Sequence, residues 1–371
     1  MEHNLEKIKI EQSRVDGKLI SGILTGMADE RNARNVALYN VAFYNKNIGR
    51  YEPVGSNYER INSDSIRQVS IDLGGGNIRY FRQIDYLDAH NKTLPKSSTG
   101  IRATAWEEID EDGKAIKDED GKQQIRIGFL GFSFFNNNDH RSLMATFDGR
   151  LNPQTVDAVS FTDNVISRIG KDNISSIIYI GHSMGSSNAM AASVMGRLHN
   201  IPTEEILLVE PVGASQQKEK IKSALMDKNS PFFREILKNM NGEDSLGKIN
   251  NVIDTFKDYI ARNTVSIRSV VMDDEGVLRP TTSASLPVGD GLWQVVSGQR
   301  NNPFSPEGLN NGMVGEKTYY QEIKGDCIVD KGLDSGHLLG SMVNCNLMGS
   351  DYYKPTDTPK RPGQIVAKWE K

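Results

Sequence analysis

Apolar runs of strand length and amphipathic stretches of helix length alternate along the middle of the chain. Ile125–Phe132 is short, apolar and rich in β-formers, and predicts a buried strand. Val156–Ile169 places Val159, Val165, Ile166 and Ile169 on one helical face and ends at Gly170, a helix stop. Ile174–Ile180 predicts a second strand. Asn188–Leu198, rich in Ala and Met, predicts a buried helix, and Glu205–Glu210 a third strand. Strands separated by helices require parallel pairing through right-handed crossovers.

The flanks are less regular. Ala33–Tyr44 has apolar residues at helical spacing and reads as a helix. Ser70–Leu73 reads as a short strand ending at Gly74-Gly75-Gly76. That triplet lacks the residues that complete a phosphate loop and is taken as a turn. Asp110-Glu111-Asp112-Gly113-Lys114 recurs as Asp118-Glu119-Asp120-Gly121-Lys122, and each Asp-Gly signals a hairpin turn. Neither copy has the ligand spacing of a calcium loop. Residues 216–262 are amphipathic and helical. Val265–Met272 and Thr318–Ile323 predict two more strands, with a long Gly-, Asn- and Pro-rich loop over 276–316 between them. Leu338–Val343 begins a closing helix, and the tail from Tyr352 is extended.

Composition narrows the classes of function. Hydrophobic residues are 37% and charged residues 25% of the 371, with a net charge of −4. Basic residues are interspersed with acidic ones, so no nucleic-acid partner is expected. No window has the ~18 apolar residues of a membrane span, so no transmembrane segment is expected. The first residues lack the apolar stretch of a signal peptide. The two cysteines, Cys327 and Cys345, form no disulfide framework. A soluble cytoplasmic protein with reduced thiols is the expectation, and secretion without such a signal stays open.

Gly181-His182-Ser183-Met184-Gly185 lies between the Ile174–Ile180 strand and the following helix. A nucleophile elbow requires that context, because the turn is too tight for side chains at the glycine positions. Ser183 is the candidate nucleophile, and the backbone N–H of Met184 a candidate oxyanion donor. A serine hydroxyl needs a base. Of the six histidines, His337 follows the last strand and sits where active-site loops of parallel sheets gather. The order serine, acid, histidine confines the acid between Ser183 and His337. Two strand ends offer it: Asp274, preferred, and Glu210. The second oxyanion donor is expected after the Ile125 strand, at the backbone N–H of Phe132. No metal or organic cofactor is required.

Ile125–Ala214 resembles the central part of an α/β-hydrolase of the lipase/esterase type. GHSMG is similar to the GHSLG of many lipases, and Leu207–Gly213 resembles the strand after the elbow. The resemblance implies a mostly parallel central sheet flanked by helices, with 101–215 and 263–371 as the core. Residues 1–100 are then an N-terminal extension packing on it. Residues 216–262 are a helical cap insertion, with Phe232, Phe233, Ile236 and Leu237 lining an acyl pocket or packing the cap. Hydrolysis of a small-molecule or lipid ester is implied. Peptidase, thioesterase and acyltransferase chemistry on the same frame stay open, as does a binding module with an unused elbow. Peripheral contact with a membrane surface stays open as well.

Overall fold

The computed structural model describes residues 16–28, 41–45, 49–53, 67–88, 99–131, 137–240, 245–272, 278–280, 314–323, 342–343, 345, 352–355 and 367–370. Its strands are β1 (Val41–Asn45), β2 (Arg50–Pro53), β3 (Gln68–Asp72), β4 (Ile78–Asp88), β5 (Arg102–Ile109), β6 (Gln123–Phe129) and β7 (Ile174–His182). They continue with β8 (Thr203–Val209), β9 (Thr264–Met272), β10 (Leu278–Pro280), β11 (Lys317–Glu322), β12 (Tyr352–Pro355) and β13 (Ala367–Glu370). The helices are α1 (16–26), α2 (Asn137–Phe147), α3 (Gln154–Ile169), α4 (Gly185–Leu198), α5 (Ala214–Met226), α6 (Pro231–Met240) and α7 (Ser245–Asn263).

All 13 strands join one sheet in the order β13-β12-β11-β9-β8-β7-β6-β5-β4-β3-β1-β2, with β10 paired to β9. The expected mostly parallel sheet is corrected to a mixed one. The pairs β6–β7, β7–β8, β8–β9 and β9–β11 are parallel. The other eight pairings are antiparallel. Tight turns explain much of this, since a short loop can join only antiparallel neighbours. Gly74–Gly76 turn β3 into β4. In each Asp-Glu-Asp-Gly-Lys copy the amide of the first Asp donates to the Lys carbonyl, at 2.8 Å (Asp110) and 2.7 Å (Asp118).

Side chains alternate between two apolar layers, as the period of a strand dictates. Ile177 and Tyr179 of β7 enter one cluster with α3–α7, while Ile178 and Ile180 enter the other with α1. Strands β6 to β9 follow one another in space as they do in sequence. Crossovers of one hand then carry every connecting helix to the same face, which is where α3–α7 lie. Within the segment expected as a cap, the described helices α5–α7 pack on the sheet: Ile221, Phe232, Phe233, Ile236, Phe256 and Ile260 are all buried in the sheet's own cluster.

The opposite face is covered by α1 and the turn after it, where Leu19, Ile20, Ile23, Leu24 and Met27 are buried at helical spacing. Gly128 of β6 permits the approach, because a side chain there would strike Thr25. The described residues among the first hundred thus supply a helix and four strands of the shared sheet. The expected helix over 33–44 is corrected at its end, where 41–45 is β1; residues 33–40 lie outside the described residues. Met342, Val343 and Cys345 are helical and packed in the α1 cluster. Cys345 is disulfide-bonded, which corrects the expectation of reduced thiols. Among the described residues, no helix is long and apolar enough to cross a membrane.

Candidate active site

Three neighbouring parallel strands, β6, β7 and β8, end side by side, and Gly131, Ser183 and Glu210 lie within two residues of their ends. The alignment comes from the parallel register, which sets Phe129 opposite Gly181 and His182 opposite Val209. Ser183 follows β7 directly. Its amide donates to the Val209 carbonyl at 2.8 Å, so the ladder holds it to the last possible residue.

The chain then reverses into α4. Ser183 has φ 56°, a left-handed conformation that costs a residue with a β-carbon about 1–2 kcal/mol. The surroundings impose it. A β-carbon on Gly181 would lie 2.5 Å from the Gly185 carbonyl oxygen and 2.6 Å from the Ser186 Cα. One on Gly185 would strike the Phe129 carbonyl. Both conflicts are with backbone, which has no rotamer to escape by. The two glycines let strand, turn and helix close up, and the strain falls on the serine between them. Such strain concentrates at functional sites.

Gly131 forms the wall facing the serine. A β-carbon there would sit 2.5 Å from Ser183 Cβ and 3.0 Å from Ser183 Oγ. Met184 is the N-cap of α4. Amides of a helix's first turn have no partner within the helix, and the helix dipole there favours negative charge. Phe132, expected as the second oxyanion donor, lies outside the described residues.

Glu210 also has positive φ, 51°, and is 1% exposed. Its amide continues the ladder to Ile267 at 2.8 Å. Its Oε1 accepts from both the amide and the hydroxyl of Ser269. The neighbouring Arg268 is fully buried and donates to the Pro211 carbonyl at 2.7 Å. Burial pushes the Arg268 guanidinium pKa down, and the Glu210 charge opposes that shift. Asp274 and His337 lie outside the described residues. His199 ends α4 and pairs with Asp163 at 2.8 Å, roughly 20 Å of helix from the elbow. His140 is exposed on α2, and His182 is buried at the end of β7.

Sequence reasoning missed the buried polar groups around the elbow. Ser186, Ser187 and Asn188 of α4, Asn152 and Gln154 before and in α3, and Asp139 of α2 are all essentially inaccessible. Three consecutive polar residues, Ser186-Ser187-Asn188, at the start of a helix otherwise read as buried were the signal that was available. No family model, curated protein or solved structure matches the chain.

Proposed function

We propose that this protein is a serine hydrolase of carboxylic esters, of lipase, phospholipase or esterase type, built on an α/β-hydrolase-like frame. One observation carries the reading. Ser183 is held in a left-handed conformation at a strand-to-helix turn, between two glycines that backbone contacts require. An ordinary structural turn has no need of a non-glycine residue at that position.

In this reading Ser183 Oγ attacks the acyl carbonyl carbon, and His337 accepts its proton. The tetrahedral oxyanion takes hydrogen bonds from the amides of Met184 and Phe132. The alkoxide leaves with the proton from His337, and water repeats the sequence to release the acid. Of the two carboxylates able to orient the imidazole, Glu210 is favoured over Asp274. It directly follows the strand beside the elbow, and the amide and hydroxyl of Ser269 hold its Oε1.

The test is labelling with a fluorophosphonate, followed by hydrolysis of p-nitrophenyl esters of graded chain length. Wild type is expected to label and Ser183→Ala to lose the label. His337→Ala should abolish turnover, whereas His140→Ala should retain it. Folded wild-type protein that neither labels nor hydrolyses any ester would overturn the reading.

A further inference from the structure

We propose that Arg126 anchors a second ligand site, on the α1 face of the sheet, that takes a small organic monocarboxylate. Arg126 lies in β6 and is 5% exposed. A guanidinium only donates hydrogen bonds, so burial obliges it to find acceptors. Its Nε is inaccessible and has no hydrogen-bond partner among the described residues. The Phe81 ring centroid lies 5.6 Å from its Cζ. A ring face attracts a cation but supplies no oxygen to receive an N–H. The acceptors nearby are committed elsewhere. Both oxygens of Glu108 accept from Arg79, and Gln124, two residues back on the same face, donates to Ser176 at 3.3 Å. Glu108, Arg79 and the exposed Glu204 reach Arg126 only through space.

A second donor stands beside it. Trp106 faces Arg126 across the β5–β6 ladder, is 1% exposed, and its indole N–H has no partner among the described residues. Register partners share a face, with β-carbons about 4.5–5.5 Å apart. Two buried side chains that can only donate are therefore neighbours, and an unmet buried donor is costly. Burial pushes the Arg126 pKa down to about 10, which leaves it a cation at neutral pH. Charge balance selects the ligand. Arg79 and Glu108 cancel each other, so the buried guanidinium calls for a single negative charge. A carboxylate meets its fork with two parallel hydrogen bonds and leaves lone pairs for the Trp106 N–H. A phosphate dianion would bring a charge that nothing offsets. Phe81, Trp106 and Ile178, which faces Arg126 from β7, are buried and apolar and suit a short hydrocarbon body. Ile178 lies about 16 Å of extended chain before Ser183, so this site is separate from the elbow and does not rest on the serine-hydrolase reading.

Isothermal titration calorimetry in carboxylate-free buffer tests the site, with sodium butyrate and inorganic phosphate as probes. Wild type and Ser183→Ala are expected to bind butyrate alike, saturably and one to one. Arg126→Met should weaken that binding by roughly 10–100-fold, as loss of a charge-assisted pair does. Trp106→Phe keeps an aromatic ring and removes one N–H, and should weaken it by about 3–10-fold. Phosphate should bind at least about tenfold more weakly than butyrate. Thermal melting gives an independent readout. Without ligand, Arg126→Met should melt no lower than wild type, because it removes a buried charge that has no counter-ion; butyrate should raise the wild-type Tm and leave that of the variant unchanged. Butyrate binding unaltered by both Arg126→Met and Trp106→Phe, phosphate binding as tight as butyrate, or no saturable binding to wild type overturns the proposal. Should Arg126→Met fail to fold, Trp106→Phe decides by the same titration.

Discussion

A single methyl group at Gly131 tests the geometry of the site most directly. In Gly131→Ala the new β-carbon would lie 2.5 Å from Ser183 Cβ and 2.8 Å from the His182 carbonyl oxygen. Carbon pairs settle near 3.5–4.0 Å, so the β6 end and the elbow must part by about 1 Å. Overpacking of this kind costs about 1–3 kcal/mol. For a chain of 371 residues that lowers Tm by roughly 1–4 °C. The effect on chemistry is larger, because a displacement of about 1 Å at a reacting centre costs on the order of 10²-fold. The assay pairs thermal melting with the rate of fluorophosphonate labelling. Gly196→Ala is the control. It lies on α4 well past the elbow, and its methyl would meet the hydroxyl of buried Tyr179 of β7. It should lower Tm, with part of the loss offset by the ~1 kcal/mol helix preference of Ala over Gly, and leave labelling unchanged. Gly131→Ala protein that labels at the wild-type rate would refute the placement of Gly131 against the nucleophile.

Two other predictions follow from the same contacts. Glu210→Gln removes a charge beside buried Arg268 while keeping volume, so stability should fall by roughly 3 kcal/mol and labelling by 10²-fold or more. Asp274→Asn should stay near wild type; the reverse pattern moves the acid to Asp274. The Glu235 carboxyl supplies a pH test. Burial pushes its pKa up, but hydrogen bonds from Ser160 and Lys238 and the Lys238 charge outweigh burial and leave it below its ordinary 4.5. Its contribution is complete above 4.5 and is lost as pH falls through the lowered value. The stability gap between wild type and Ser160→Ala should therefore shrink toward zero in acid; chemical denaturation showing a constant gap from neutral to acid pH would contradict it.

Much of this protein was legible in the one-dimensional pattern. The strands β6 to β9, the intervening helices and the elbow follow from local periodicity, which the chain must satisfy before any distant contact forms. The Gly170 stop and the Asp-Gly turns are equally local, since each closes its own hydrogen bonds within five residues. The α1 helix escaped notice because Gly17, Gly22 and Gly26 interrupt an otherwise clear apolar face. Its partner groove at Gly128 is more than a hundred residues away.

Ser183 is where the two kinds of information meet. Sequence alone placed it between a strand and a helix and explained why glycines must flank it. Only the tertiary structure brought Gly131 and Glu210 to its sides, because parallel pairing joins strand ends that lie roughly 50 and 30 residues away in the chain. The same long-range pairing laid the described parts of α5–α7 against the sheet. It also buried Asp139, Asn152, Gln154, Ser187 and Asn188, which look like ordinary polar residues until the fold excludes water from them.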